Sequence, residues 1–156
     1  MDQHRRSLKL IRNVREKLGA FVGSHPNNLV GVTNATTGLN IVARSLPLQE
    51  GDEILTTDHE YGALEKTWTF IARKTGAKYI HADVPIPLAS AVEFTEAIWS
   101  KVTPKTKVLF LSHLTSATAL TFPIEDLIQR AKENGIWTVI DGAHAPGHVP
   151  LQLDQL

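Results

Sequence analysis

Polar side chains capable of acid–base or anion-binding chemistry follow four of the apolar runs in this 156-residue chain. They supply hydroxyls, imidazoles, carboxylates and one phenol ring, in the segments 33–38, 58–62, 112–116 and 141–145. Ligands of open α/β sheets bind beyond the carboxyl ends of the strands, so these segments are candidates for one shared site. The alternative is that strands end in loops, and loops are polar whether or not they bind anything.

The segment that begins at Asn34 precedes a predicted helix and is a candidate anion site. The first N–H groups of a helix have no partner within it, and the helix dipole favours a negative group there. Thr36 and Thr37 add two hydroxyl donors. An ordinary N-cap by either threonine would need no ligand. Neither G-x-G-x-x-G nor G-x-x-x-x-G-K-[ST] occurs, so no dinucleotide or Walker-type phosphate site is predicted.

Asp141 ends an apolar run, where a carboxylate can cap a loop, bind a metal or pair with a cationic ligand. His144 could reach the same ligand, although a surface imidazole is the simpler interpretation. His144 and His148 have the spacing of a zinc pair on a helix, but Pro146 and Gly147 between them disfavour a helix. No metal site is therefore predicted.

Tyr61 opens a predicted helix beside Glu60, where an aromatic ring can stack on a planar ligand or cover the edge of the core. His59 and His113 allow the same two interpretations. The G-x-S-x-G motif of α/β-hydrolases is absent, so a serine hydrolase is not predicted.

Alternating helical and strand-like segments must position these residues. Helical spacing or helix-ending residues predict helices over 4–22, 37–46, 61–75, 92–102 and 124–134. Apolar runs predict strands over 29–33, 53–57, 77–82, 107–112 and 136–140. The alternation predicts an α/β fold with a mainly parallel sheet of about five strands and helices on both faces. Residues 1–28 would form a leading helix and loop, and 29–156 the α/β core.

Composition and charge exclude several classes of protein. Sixteen basic residues balance sixteen acidic ones, which argues against a nucleic-acid binder. The absence of cysteine excludes disulfides, cysteine-ligated metals and a thiol nucleophile on this chain. Its apolar runs are far shorter than the roughly 20 residues of a membrane span, and no hydrophobic signal core follows the N-terminus. We therefore expect no membrane partner and a cytoplasmic location.

Four motifs in order, each at a predicted strand end, resemble a known enzyme family. They are NATTG (34–38), HEYGA (59–63), SHLTS (112–116) and DGAHAPG (141–147). They resemble the class V aminotransferase family of fold-type I pyridoxal-phosphate (PLP) enzymes, in particular its isopenicillin N epimerase-like branch, with cysteine desulfurases as more distant relatives. The likeness runs from about Arg12 to the C-terminus and implies part of the large domain of such an enzyme.

The resemblance implies PLP as the cofactor and an amino acid as the substrate. The cofactor's phosphate would bind at Ala35, Thr36 and Thr37. Asp141 would pair with the pyridinium nitrogen, which keeps the ring protonated so that it can act as an electron sink. His144 would lie beside the phenolic oxygen, so that Asp141 and His144 are the candidate catalytic residues.

Two further positions are implied by the same resemblance. Tyr61 aligns with the residue that stacks on the cofactor ring, although a shift of two residues would place His59 there. Ser116 falls where desulfurases have an asparagine near the cofactor, which favours the epimerase-like branch. Members of the family form homodimers, so a homodimer is expected for the full-length protein.

The family's Schiff-base lysine lies beyond the position of Asp141, and no lysine of this sequence stands at a motif position. We therefore expect a partial chain that lacks the N-terminal segment, the catalytic lysine and the small domain, and that is inactive by itself. A non-catalytic protein of the same fold and an unrelated α/β nucleotide binder are the rival hypotheses. The reaction stays open, because transamination, racemisation, decarboxylation, β-elimination and desulfuration share the electron-sink step.

Overall fold

The computed structural model describes residues 2–156, with side chains from Arg6 onward. The chain divides into two units: residues 2–32 together with 145–156, and residues 33–144. The predicted division between a leading segment and a core at residue 28 stays a prediction. Among the described residues, no helix combines the length and the apolar character that a bilayer span requires.

The smaller unit contains the first helix, α1 (Asp2–Val22), and the end of the chain. Gly23, in the left-handed conformation (φ 66°), follows α1, as expected for a residue that ends a helix. Asp154 accepts hydrogen bonds from Ser24 Oγ (2.8 Å), His25 N (2.7 Å) and Asn28 Nδ2 (3.3 Å). The bonds from Ser24 and His25 lower the pKa of the Asp154 carboxyl. One side chain thereby joins the turn after α1 to the C-terminal residues.

The larger unit is built on four parallel strands in the order β2-β1-β3-β4. They are β1 (Glu53–Thr57), β2 (Lys78–Ala82), β3 (Thr106–Ser112) and β4 (Trp137–Asp141). In the register of β3 and β4, Ser112 pairs with Asp141, so the last residues of these two strands lie side by side. The parallel α/β architecture predicted from the sequence is confirmed.

Four helices cover the sheet: α2 (Ala35–Ser45), α3 (Gly62–Thr75), α4 (Ala91–Trp99) and α5 (Glu125–Glu133). Successive residues of β3 enter two different cores. Val108 and Phe110 pack with α2 and α3, whereas Leu109 and Leu111 pack with α4 and α5. Because both faces are covered by helices, the strand is apolar along its length instead of alternating.

The predicted strand over residues 29–33 is wrong. The segment makes no ladder hydrogen bonds with any described strand, and Val30 is 84% exposed. An apolar run becomes a strand only where a neighbouring strand can pair with its backbone. The sheet therefore has four strands among the described residues instead of about five. The other predicted strands are present, and the strand predicted over 53–57 has the same first and last residues in the structure.

Helix termini follow local sequence signals. Ser90 caps α4 by accepting a hydrogen bond from the Glu93 amide (3.1 Å). That helix ends at Trp99, earlier than the predicted end at 102. Gly76 ends α3 in the left-handed conformation (φ 77°), as its sequence position predicts.

Replacing Gly76 with alanine is expected to destabilise the fold by about 1–2 kcal/mol, because an L-residue is strained at positive φ. An added Cβ would also lie 3.2 Å from the Cα of Glu50. Urea unfolding followed by circular dichroism measures the loss in free energy of unfolding. Gly62→Ala is the matched control, since a Cβ at Gly62 meets nothing within 4 Å. Equal stability of G76A and wild type would contradict the role given to Gly76.

Candidate functional site

A pocket of about 330 Å³ lies at the carboxyl end of the strands in the larger unit. This volume falls at the lower end of the range for small-molecule sites, roughly 300–1,000 Å³. The pocket is formed by the start of α2, the residue before α3, and the ends of β3 and β4 with the residues that follow them. Its lining residues are Asn34, Ala35, Thr36, Tyr61, Ser112, Leu114, Ser116, Asp141, Ala143 and His144.

Six of the seven residues singled out from the sequence therefore line one pocket: Ala35, Thr36, Tyr61, Ser116, Asp141 and His144. The seventh, Thr37, is not among the lining residues. Its amide donates to Asn34 Oδ1 at 2.8 Å. The N-cap of α2 is therefore Asn34, and the alternative of a cap by Thr36 or Thr37 is wrong.

The start of α2 presents unpaired backbone donors to the pocket. Asn34 satisfies the Thr37 amide through its side chain and the Gly38 amide through its carbonyl (3.1 Å). Among the described hydrogen bonds, none uses the amides of Ala35 and Thr36, which precede the first intrahelical donor. These two amides and the positive end of the helix dipole make this side of the pocket suitable for an anion.

A buried carboxylate stands at the end of β4. Asp141 is 7% exposed, and its Oδ1 accepts a hydrogen bond from the Ala143 amide at 3.0 Å. Its Oδ2 accepts no hydrogen bond from residues 6–156. Oδ2 is not itself buried, since it keeps some solvent access on a residue that lines the pocket. This oxygen can therefore accept a hydrogen bond from a cationic or N–H-bearing group of a ligand.

The aromatic ring at the pocket belongs to Tyr61. Tyr61 is 46% exposed, and its side chain forms no cap hydrogen bond at the start of α3. His59, the alternative, is engaged elsewhere: its Nε2 lies 2.8 Å from Val84 O and 3.4 Å from Asp58 Oδ1. The His59 ring also packs edge-on against Phe122. Neither His59 nor His113 is among the lining residues.

Glu60 belongs to the HEYGA motif (59–63), where the sequence gives it no role of its own, yet it is the centre of a hydrogen-bond network next to the pocket. Its Oε1 accepts from Thr57 Oγ1 and its Oε2 from Ser112 Oγ, each at 2.6 Å. Burial raises the pKa of Glu60; the hydrogen bonds from Ser112 and Thr57 lower it, and the nearby Asp141 carboxylate raises it further. In the sequence, its position directly before Tyr61 is the one signal that could have indicated this role.

Other polar clusters of the described residues offer no competing site. Residues 6–156 contain no group of three or more histidine, aspartate or glutamate side chains that could hold a metal ion. On β2, Tyr79 donates to Glu65 (2.7 Å) and His81 contacts the same carboxylate (3.0 Å). Burial, and then the hydrogen bond to Glu65, raise the pKa of Tyr79 above its usual range. This cluster lies outside the pocket.

Comparison with known proteins identifies the family. Residues 1–156 match the family model described as aminotransferase class-V. The chain belongs to the class-V aminotransferase family. It is 37% identical over 147 residues to the isopenicillin N epimerase of Streptomyces clavuligerus, covering 94% of this chain and 37% of that protein. It is also 37% identical over 139 residues to a probable cysteine desulfurase of Vibrio cholerae, covering 86% of this chain and 33% of that protein. The chain thus spans about a third of the length of these class-V relatives.

A solved structure supports the same assignment. A mutant of C-DES, with glycine covalently linked to its PLP cofactor, superposes on this class-V chain with a TM-score of 0.89 and 27% identity. The match covers 100% of this chain and 41% of that one. The predicted likeness to part of the large domain of fold-type I PLP enzymes is therefore confirmed, as is the resemblance to the class V family.

Proposed function

We propose that this chain is the part of a PLP-dependent enzyme that holds the phosphate and the pyridine ring of the cofactor, and that the enzyme acts on an amino acid. The observation that carries the proposal is the composition of the pocket. It combines unpaired amides at the start of α2 with the free Oδ2 of the buried Asp141. PLP has a matching pair of ends, since it carries a phosphate dianion on one side and a ring nitrogen on the other.

The phosphate would accept hydrogen bonds from the amides of Ala35 and Thr36 and from the Thr36 hydroxyl. Participation of the Thr37 hydroxyl stays a prediction, since the Thr37 amide is committed to Asn34. Asp141 would accept the ring N–H and hold its proton in place. When bound, PLP supplies an electron sink for a substrate carbanion. Asp141 would serve that function by keeping the ring nitrogen charged.

The remaining residues of the pocket would surround the ring. Tyr61 would cover one face of it, as aromatic side chains do with planar ligands. The exposed imidazole of His144 would contact the phenolic oxygen, where it can donate or accept a hydrogen bond. The exposed hydroxyl of Ser116 would lie near the cofactor edge. Asp141 and His144 stay the candidate catalytic residues.

Within the family, we propose an isopenicillin N epimerase-like reaction, with Ser116 in place of the asparagine of desulfurases as its support. A cysteine desulfurase-like reaction is the second candidate, because the identity to the Vibrio cholerae relative is also 37%. A homodimeric assembly and a cytoplasmic location stay predictions, which sedimentation analysis and cell fractionation of the full-length protein would test.

Titration with pyridoxine 5′-phosphate, the alcohol analogue of PLP, tests the proposal without reaction at surface lysines. We expect saturable binding to the 156-residue chain, seen as a perturbed absorption band, and competition by inorganic phosphate. Nucleotides should not compete, and competition by a nucleotide would favour the rival nucleotide binder. Absence of binding, with the fold verified by circular dichroism, would overturn the proposal.

This chain by itself is expected not to turn over amino acids. None of its nine lysines lines the pocket, so no amine is placed to form a covalent link with the cofactor's aldehyde. Borohydride reduction in the presence of PLP, followed by mass spectrometry, should show scattered substoichiometric labelling. A stoichiometric adduct on one lysine together with measurable turnover would contradict this prediction.

A further inference from the structure

The carboxyl group of Glu60 connects hydroxyls from the ends of two strands. Thr57, the last residue of β1, donates to Oε1, and Ser112, the last residue of β3, donates to Oε2. Of these three residues, only Ser112 is among the residues that line the pocket. Glu60 therefore reaches the pocket through the Ser112 hydroxyl.

The protonation state of Glu60 determines whether the Ser112 hydroxyl can offer a ligand its hydrogen or only its lone pairs. A serine hydroxyl has one hydrogen and two lone pairs. While Glu60 is ionised, the Ser112 hydrogen points at Oε2, and only lone pairs remain for the pocket. A protonated Glu60 is itself a donor, which frees the Ser112 hydrogen to turn toward the pocket. The Thr57 hydroxyl is less free to turn, because it also accepts from the His59 amide (3.2 Å).

Ser112 stands next to the candidate partner of the cofactor ring. It pairs with Asp141 in the register of β3 and β4, and both residues line the pocket. With Glu60 ionised, the two neighbouring strand ends offer the pocket two acceptors: the Ser112 oxygen and the free Asp141 Oδ2. Two such acceptors suit an N–H donor and leave an anionic or acceptor group unsatisfied.

We propose that Glu60 is a positioning residue that holds the Ser112 hydroxyl as an acceptor beside Asp141, and so selects a ligand presenting an N–H donor at this end of the pocket. The inference rests on the proposed function, in which that donor is the ring nitrogen of PLP. Glu60 acts through Ser112 and does not itself touch the ligand.

The charged surroundings of Glu60 determine how its proton behaves. Asp141 on β4 and Tyr79 on β2 interact with it electrostatically, and Asp58 and His59 precede it in the chain. Because burial raises its pKa, the folded chain binds the proton more tightly than the unfolded chain. The stability that Glu60 contributes is therefore fully present below its unfolded pKa and is lost as the pH rises through the folded pKa.

The variants Glu60→Gln and Ser112→Ala test the coupling. A glutamine amide must donate to one of the two hydroxyls, so E60Q mimics the protonated acid and turns Ser112 into a donor. We expect E60Q and S112A each to weaken binding of pyridoxine 5′-phosphate about fivefold to tenfold, as for loss of one hydrogen bond. The double variant should bind no more weakly than S112A, because both changes remove the same interaction.

The pH dependence of ligand affinity distinguishes a change in the orientation of the Ser112 hydroxyl from a general loss of stability. Wild-type affinity should fall as the pH is lowered through the pKa of Glu60, and E60Q should lack this step. Glu65→Gln is the matched control, because Glu65 also accepts from a hydroxyl (2.7 Å) but lies outside the pocket. E65Q should bind the ligand as the wild type does.

A measurement without ligand completes the test. In ¹³C NMR of glutamate-labelled chain, the Glu60 titration should move to higher pH in S112A, which lacks the hydrogen bond that lowers the pKa. If E60Q does not fold, this measurement on S112A still tests the proposal. An unshifted titration, or additive losses in the double variant, would overturn the role of Glu60 and leave the proposed function standing. A wild-type chain that does not bind pyridoxine 5′-phosphate would overturn the proposed function and the ligand selection together.

Discussion

Replacing Asp141 with alanine is expected to weaken binding of pyridoxine 5′-phosphate by about tenfold to a hundredfold, the range for losing a hydrogen bond to a charged group. Asp141 is 7% exposed, and its Oδ2 accepts no hydrogen bond from residues 6–156. The loss should therefore be larger than at an exposed charge, where water would compensate. Absorbance titration at fixed pH and ionic strength measures the ratio of the two dissociation constants.

Three variants serve as controls for this prediction. Asp141→Asn keeps an acceptor for the Ala143 amide but removes the charge, so its affinity should lie between those of wild type and D141A. Lys107→Ala and Lys132→Ala remove exposed charges outside the pocket and should leave the affinity unchanged. Equal affinity of D141A and wild type would show that Asp141 does not contact the ring nitrogen.

The fold could be predicted from the sequence where burial alone determines an element. The run Val108–Leu111 is apolar along its length, and in the structure both of its faces are covered by helices. The segment at Val30 is similarly apolar but forms no strand, since pairing depends on a neighbour that local composition does not reveal. Local patterns thus predict what a segment can bury and not what lies beside it.

The candidate site, too, could be predicted from the sequence only in part. Asp141 and Thr36 were found because parallel strands and helix starts place their polar ends at one edge of the sheet. The bond between Glu60 and Ser112 joins residues 52 positions apart in the chain, and no spacing rule indicates it. Asn34 was part of a recognised motif, but whether it or a threonine caps α2 depends on side-chain geometry. Contacts between side chains of different strands therefore required the structure.

Replacing Phe110 with alanine is expected to destabilise the larger unit by about 3–5 kcal/mol, the cost of removing a buried phenyl ring and leaving a cavity. Phe110 is fully buried in the core that the sheet forms with α2 and α3. Its ring packs against Trp68 with 5.3 Å between centroids. It precedes Ser112 by two residues on β3, so the same packing holds the strand end that lines the pocket.

Urea unfolding of F110A and two comparison variants tests whether packing at this position supports the site. Phe110→Leu preserves most of the apolar volume and should lower the free energy of unfolding by less, about 1–2 kcal/mol. Phe70→Ala makes the same chemical change at a residue that is 48% exposed, and should change the free energy of unfolding by less than about 1 kcal/mol. In F110A, ligand affinity should also fall, since the Ser112 end of β3 loses its packing two residues away. If F110A were no less stable than F70A, the assignment of Phe110 to the core that positions the pocket would be wrong.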